Sequence, residues 1–102
     1  MAKIILNNEE FNFDGYTRNT FFGADAANEE SLTSNAYITG LKGENLITRL
    51  NALSYTPITS LQIVVGREVI YALSDITARF TSMDESFNGN DAMNVNLNIK
   101  FN

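Results

Sequence analysis

The most restrictive stretch of the chain is its last. From residue 93 to 101, Met93, Val95, Leu97, Ile99 and Phe101 alternate with Asn94, Asn96, Asn98 and Lys100 without a fault. Side chains alternate across a strand and not across a helix, so this run predicts a strand with one dry face and one wet face. A half-buried strand needs hydrogen-bonded neighbours and a second layer to cover its apolar side. The fold must therefore be built around a sheet.

The rest of the chain supplies the partners. Residues 3–14 read as a hairpin: Ile4 and Leu6 share a side, Asn7-Asn8 tolerates positive φ, and Phe11 and Phe13 resume the alternation. Gly15 breaks that strand, and Tyr16 to Phe22 is β-prone up to Gly23. Asn35 to Leu41 predicts another strand, centred on Tyr37 and Ile38. Leu61, Ile63 and Val65 face one way, Gly66-Arg67 makes a tight turn, and Val69, Tyr71 and Leu73 return. The apolar set then changes parity to Ile76, Ala78 and Phe80, which predicts a bulge or corner at Ser74-Asp75. A turn-rich segment, Met83 to Asp91, leads into the last strand.

One segment has helical period. Gly40 and Gly43 bracket the turn into it, and Leu46, Ile47, Leu50 and Leu53 line a single face over about residues 44–53. Glu44 falls in its first turn, and Pro57 cannot continue it. The sum is a mainly β, β-rich α+β fold: an antiparallel sandwich or partly open barrel with one amphipathic helix, in a single domain spanning 1–102. Residues 24–34 stand apart, being small, polar and acidic with Leu32 as the one large apolar side chain. They predict a mobile loop that orders only against a neighbour, anchored by Leu32.

Composition narrows function by what is missing. The chain has no cysteine and no histidine, which removes thiol chemistry, His-dependent triads and the common zinc and haem ligands. Seven basic residues stand against twelve acidic ones, a net charge of −5, and the cations are scattered. Nucleic acid is therefore not an expected partner. Met1-Ala2-Lys3 before Ile4-Ile5-Leu6 imitates a signal peptide, but the apolar run stops at Asn7-Asn8-Glu9-Glu10; no signal peptide and no membrane partner are expected, and synthesis in a cytoplasm is.

Three constellations have residue types that could carry chemistry. Residues 84–90 (DESFNGN) imitate the start of a calcium loop, yet position 12 of that pattern is Val95, so an ordinary turn is the better reading. The pairs Glu9-Glu10 and Glu29-Glu30 diverge into solvent, and Asp75 fits a corner-capping role. The glycines are isolated, and no serine has a histidine base. No catalytic, metal or cofactor site is expected, and the chain reads as a non-enzyme.

Interface candidates remain. Phe21 and Phe22 are adjacent, so in a strand they point to opposite faces and one of them needs a cover. Asn94, Asn96 and Asn98 make a sheet face polar but uncharged, which suits a wet subunit contact or a water-filled lumen. Glu29, Glu30 and Leu32 complete the set through the loop. Two functions follow: a structural subunit that assembles with copies of itself, or a small acidic module that occupies a basic surface. The second requires Glu9, Glu10, Glu29, Glu30, Asp84 and Glu85 to gather on one face.

The whole-chain pattern resembles small structural proteins of tailed-phage virions. The similar elements are the hairpin beginning Lys3-Ile4-Ile5-Leu6-Asn7-Asn8, a long polar segment, one amphipathic helix, and the closing run from Leu61 to Phe101. Tail-tube and tail-joining proteins are small β-sandwiches or barrels with one helix, joined to neighbours in a ring. The resemblance implies partners that are copies of itself and other structural proteins, a host cytoplasm during synthesis, and then a virion or similar particle. It carries over no functional residues.

Overall fold

The structure, a computed structural model, describes residues 2–22, 29–87 and 92–101. The chain runs β1 (Ala2–Leu6), β2 (Glu9–Phe13), β3 (Gly15–Phe21), β4 (Glu29–Thr39), α1 (Gly40–Leu53), β5 (Leu61–Val65), β6 (Glu68–Leu73), β7 (Ala78–Phe87) and β8 (Ala92–Phe101). Two four-stranded sheets result, in the orders β2-β1-β5-β6 and β3-β4-β8-β7, and every strand pair is antiparallel. They pack together as a β sandwich with one helix among the described residues.

Turn chemistry sets the first sheet. Asn7 and Asn8 take φ of 51° and 67°, and Leu6 pairs with Glu9 across a two-residue turn. The Asn7 side chain does a second job: its Nδ2 donates to the Pro57 carbonyl at 2.8 Å, and its Oδ1 accepts the Thr59 N–H at 2.9 Å. That clip fixes the approach to β5. Gly66, at φ 65°, opens the matching turn between β5 and β6, where Val65 pairs with Glu68.

The chain crosses between the sheets three times, through α1 between β4 and β5 and at two corners. Asp14 alone separates β2 from β3; its N–H donates to the Asn35 carbonyl at 2.8 Å, and its carboxylate accepts the Tyr37 N–H. The second corner lies between Leu73 and Ala78, with Asp75 at φ 56° and exposed. Ile76 and Ala78 donate there to the carbonyls of Thr59 and Ile58. The predicted parity change at Ser74-Asp75 is this passage: β6 and β7 belong to different sheets, and Tyr71 and Leu73 of one and Ala78, Phe80 and Met83 of the other turn to the shared core. The bulges themselves lie elsewhere, at Ile70 and Thr81, which the pairing skips.

Ile4, Leu6, Phe11 and Phe13 meet Leu32, Ile63, Leu97, Ile99 and Phe101 between the sheets. Val95, Leu97 and Ile99 are fully buried, so the final strand is as its alternation requires. Leu46, Leu50 and Leu53 bury the helix against the same core. At its end the hydroxyls of Ser54 and Thr56 donate to the carbonyls of Asn51 and Leu53, and Pro57 follows.

Four expectations need correction. The predicted mobile loop over 24–34 does not hold for its second half: residues 29–34 open β4, and Leu32 is fully buried instead of anchoring an arm. Its alternation is hidden by size, since the inward positions after Leu32 are Ser34 and Ala36, both buried. Residues 24–28 lie outside the described residues. The helix starts at Gly40 rather than 44, so the predicted turn at Gly40–Gly43 is its first turn and Glu44 falls beyond it. Gly43 is buried there, and a glycine fits because a Cβ would run into the Met93 side chain, 3.2 Å from its Cγ. The segment expected to turn from Met83 is strand up to Phe87, which places Asp84 and Glu85 on opposite faces of β7. Positions 88–90 of the calcium-like loop lie outside the described residues.

Candidate interaction surface

The outward face of the second sheet assembles from all four of its strands. Register sets Thr17, Thr33, Asn98 and Ser82 in one row, and Gly15, Asn35, Asn96 and Asp84 in the next. Asn98 is held within its row: Thr33 donates to its Oδ1 at 2.7 Å, and its Nδ2 donates to Ser82 at 2.8 Å. Asn94 lies further along, between Tyr37 and Ser86, with its Oδ1 buried and unpartnered. At the other end a row of Asn19, Ser31, Lys100 and Arg79 carries the positive charge. The three asparagines therefore share one surface, chiefly of hydroxyls and amides. Such groups trade water for protein partners at less cost than ions do.

Phe21 ends β3 on that same face, and Phe22 follows it. They are 69% and 76% exposed, so neither is covered by the described residues. Of the other interface candidates, Leu32 is in the core, and the side chain of Glu29 lies outside the described residues. Glu30 points between the sheets, where its carboxylate accepts hydrogen bonds from the Tyr71 hydroxyl at 2.7 Å and from Thr20 at 3.2 Å.

Sequence reading missed the group around that carboxylate. The Arg18 guanidinium stacks 3.7 Å from the Tyr71 ring centre, and Tyr71 tilts against Phe101 at 6.4 Å. Burial, the hydrogen bond to Glu30 and the charge of that carboxylate all push the Tyr71 pKa up, while Arg18 pulls the other way. Nothing in the spacing of residues 18, 30 and 71 announces this group, because three different strands supply them. Also missed were the exposed Val69 and Ile70 on β6, Phe87 on β7 and Tyr55 beyond the helix. Alternation alone sets Val69 and Tyr71 on one face of β6, but the bulge at Ile70 puts the two out of phase.

The acidic residues do not form one face. Glu9 pairs with Arg49 at 3.2 Å, Glu10 with Lys3 at 3.4 Å, and Glu30 is turned inward. Among the described residues, no group of three acids could hold a metal ion, and no helix is long and apolar enough to cross a membrane. No protein-family model, curated protein or solved structure matches the chain.

Proposed function

We propose that the chain is a non-enzymatic structural subunit that associates with copies of itself and with other structural proteins in a ring or virion-like particle. A phage tail-type component is the most specific form of this reading, with synthesis in a host cytoplasm and incorporation into the particle afterwards. The observation that carries it is the adjacent pair Phe21 and Phe22, 69% and 76% exposed at the end of an edge strand. Aromatic side chains concentrate at protein contacts because they offer large apolar area for little ordering entropy. The Asn/Thr/Ser face beside Phe21 supports the same reading. It offers many neutral hydrogen-bonding groups over four strands, the composition of a wet contact or a hydrated lumen. Negative-stain microscopy of the purified chain, alone and with any structural proteins that its neighbouring genes encode, is the test. Rings, tubes or incorporation into a particle are expected. A chain absent from every such particle, and single in solution, overturns the proposal.

A further inference from the structure

Four strands bound the two sheets, and three of their outer edges are blocked. On β2 the Arg49 guanidinium, reaching from the helix, takes the Glu10 carbonyl at 2.7 Å and the Glu9 carboxylate at 3.2 Å, so a charged side chain caps that edge. β6 bulges, leaving Ile70 unpaired between Val69 and Tyr71. β7 bulges at Thr81 and carries Asp84 and Glu85 beyond it. Bulges, charges and covering elements are the devices that keep sheet edges from pairing. Among the described residues β3 has none of them. Its seven residues hold unbroken register with β4, from Gly15 opposite Asn35 to Phe21 opposite Glu29. The strand contains no proline, lysine or acid, and its single charge, Arg18, is folded inward onto Tyr71.

We propose that this edge pairs with β3 of a second copy, antiparallel, about a twofold axis at Asn19. The inference rests on the self-association proposed above and names the edge that carries it. Each face must continue across the join, so inward residues must meet inward ones, and the axis must pass through a residue rather than between two. An axis at Arg18 sets two guanidinium groups opposite each other, which is unfavourable. An axis at Thr17 leaves both phenylalanines beyond the join. An axis at Asn19 pairs the whole run 16–22. Phe22 then meets the partner's Tyr16, Phe21 meets the partner's Thr17, and Arg18 meets the neutral Thr20. Each aromatic contact occurs twice, as an isologous interface requires. Charge favours this edge as well, since the chain carries a net charge of −5 and β3 contributes no acid to the meeting.

Because the chain contains no cysteine, the register can be read by oxidation of single-cysteine variants of the full chain. Directly opposed Cα atoms lie at about 4.5–5.5 Å, within disulfide reach, while positions two residues off the axis are separated by about 13 Å. Asn19→Cys is expected to cross-link into dimers and Thr17→Cys is not. Asn19→Lys is expected to weaken self-association by about tenfold or more, because two ammonium groups then face each other, and mixing it with Asn19→Asp is expected to restore pairing. Melting of both charge variants as single chains should match the wild type, since Asn19 is exposed. Cross-linking at neither position, or at both equally, overturns the β3 register. Particles that form undiminished from Asn19→Lys overturn this inference and leave the assembly reading standing, whereas a wild-type chain that never associates defeats both.

Discussion

The Arg18 guanidinium lies 3.7 Å from the centre of the Tyr71 ring, fastening an edge strand of one sheet to an edge strand of the other. Glu30 completes the fastening by accepting a hydrogen bond from the Tyr71 hydroxyl at 2.7 Å. A tyrosine in this position must stay protonated. Burial raises its pKa first, and the hydrogen bond to Glu30 and that residue's negative charge raise it further. A raised folded-state pKa contributes stability that is whole below the ordinary tyrosine value of about 10 and is lost as pH climbs through the folded one. Thermal melts at rising alkaline pH should therefore fall in the wild type and fall less steeply in Tyr71→Phe. Arg18→Ala, which removes the one opposing influence, should move the Tyr71 titration still higher in a tyrosinate absorbance difference measured against Tyr71→Phe.

Leu32 and Ser34 make a sharp pair, because both are fully buried on consecutive inward positions of β4. Leu32→Ala should cost about 2–5 kcal/mol in denaturant unfolding of the isolated chain, the range for a truncated core leucine. A residue that merely anchored an arm to a neighbour would leave the isolated chain unchanged. Ser34→Ala should do the opposite. The Ser34 Oγ is buried without a hydrogen-bond partner, so its removal should leave stability equal or raise it by about 1 kcal/mol.

The two asparagines of the first turn should respond differently to the same change. Both have positive φ, which glycine adopts without strain. Asn8→Gly should be close to neutral. Asn7→Gly keeps the turn and loses the clip to Pro57 and Thr59, which should cost about 1–2 kcal/mol, each hydrogen bond being worth about 0.5–1.5 kcal/mol. Equal effects at the two positions in chemical denaturation would deny the clip its role.

Period and turn residues made most of the sandwich legible. Met93 to Phe101, the Asn7-Asn8 turn and the helical face of Leu46, Leu50 and Leu53 each have a strong local cause, and each stands in the structure as read. The misreadings share another cause. β4 hides its inward face behind Ser34 and Ala36, so composition made strand look like loop. Gly43 looked like a turn because the reason for a glycine there is Met93, fifty positions away in the chain. The polar face of the second sheet was half legible. Alternation put the three asparagines on one face, but the Arg18–Tyr71–Glu30 group depends on sheet-to-sheet contacts that local spacing does not encode.

Exposed aromatic residues that serve assembly should be dispensable to the fold. Substituting Phe21 and Phe22 together by serine should change the melting of the single chain by no more than about 0.5 kcal/mol, the usual range for surface positions. Sedimentation velocity over a wide range of concentrations, on wild type and on this double variant, tests the central claim most directly. Assembly through this surface predicts concentration-dependent growth beyond a single chain in the wild type, abolished in the variant with its fold intact. A wild-type chain that sediments as one monomer at every concentration, alone and with its neighbouring structural proteins, would contradict it.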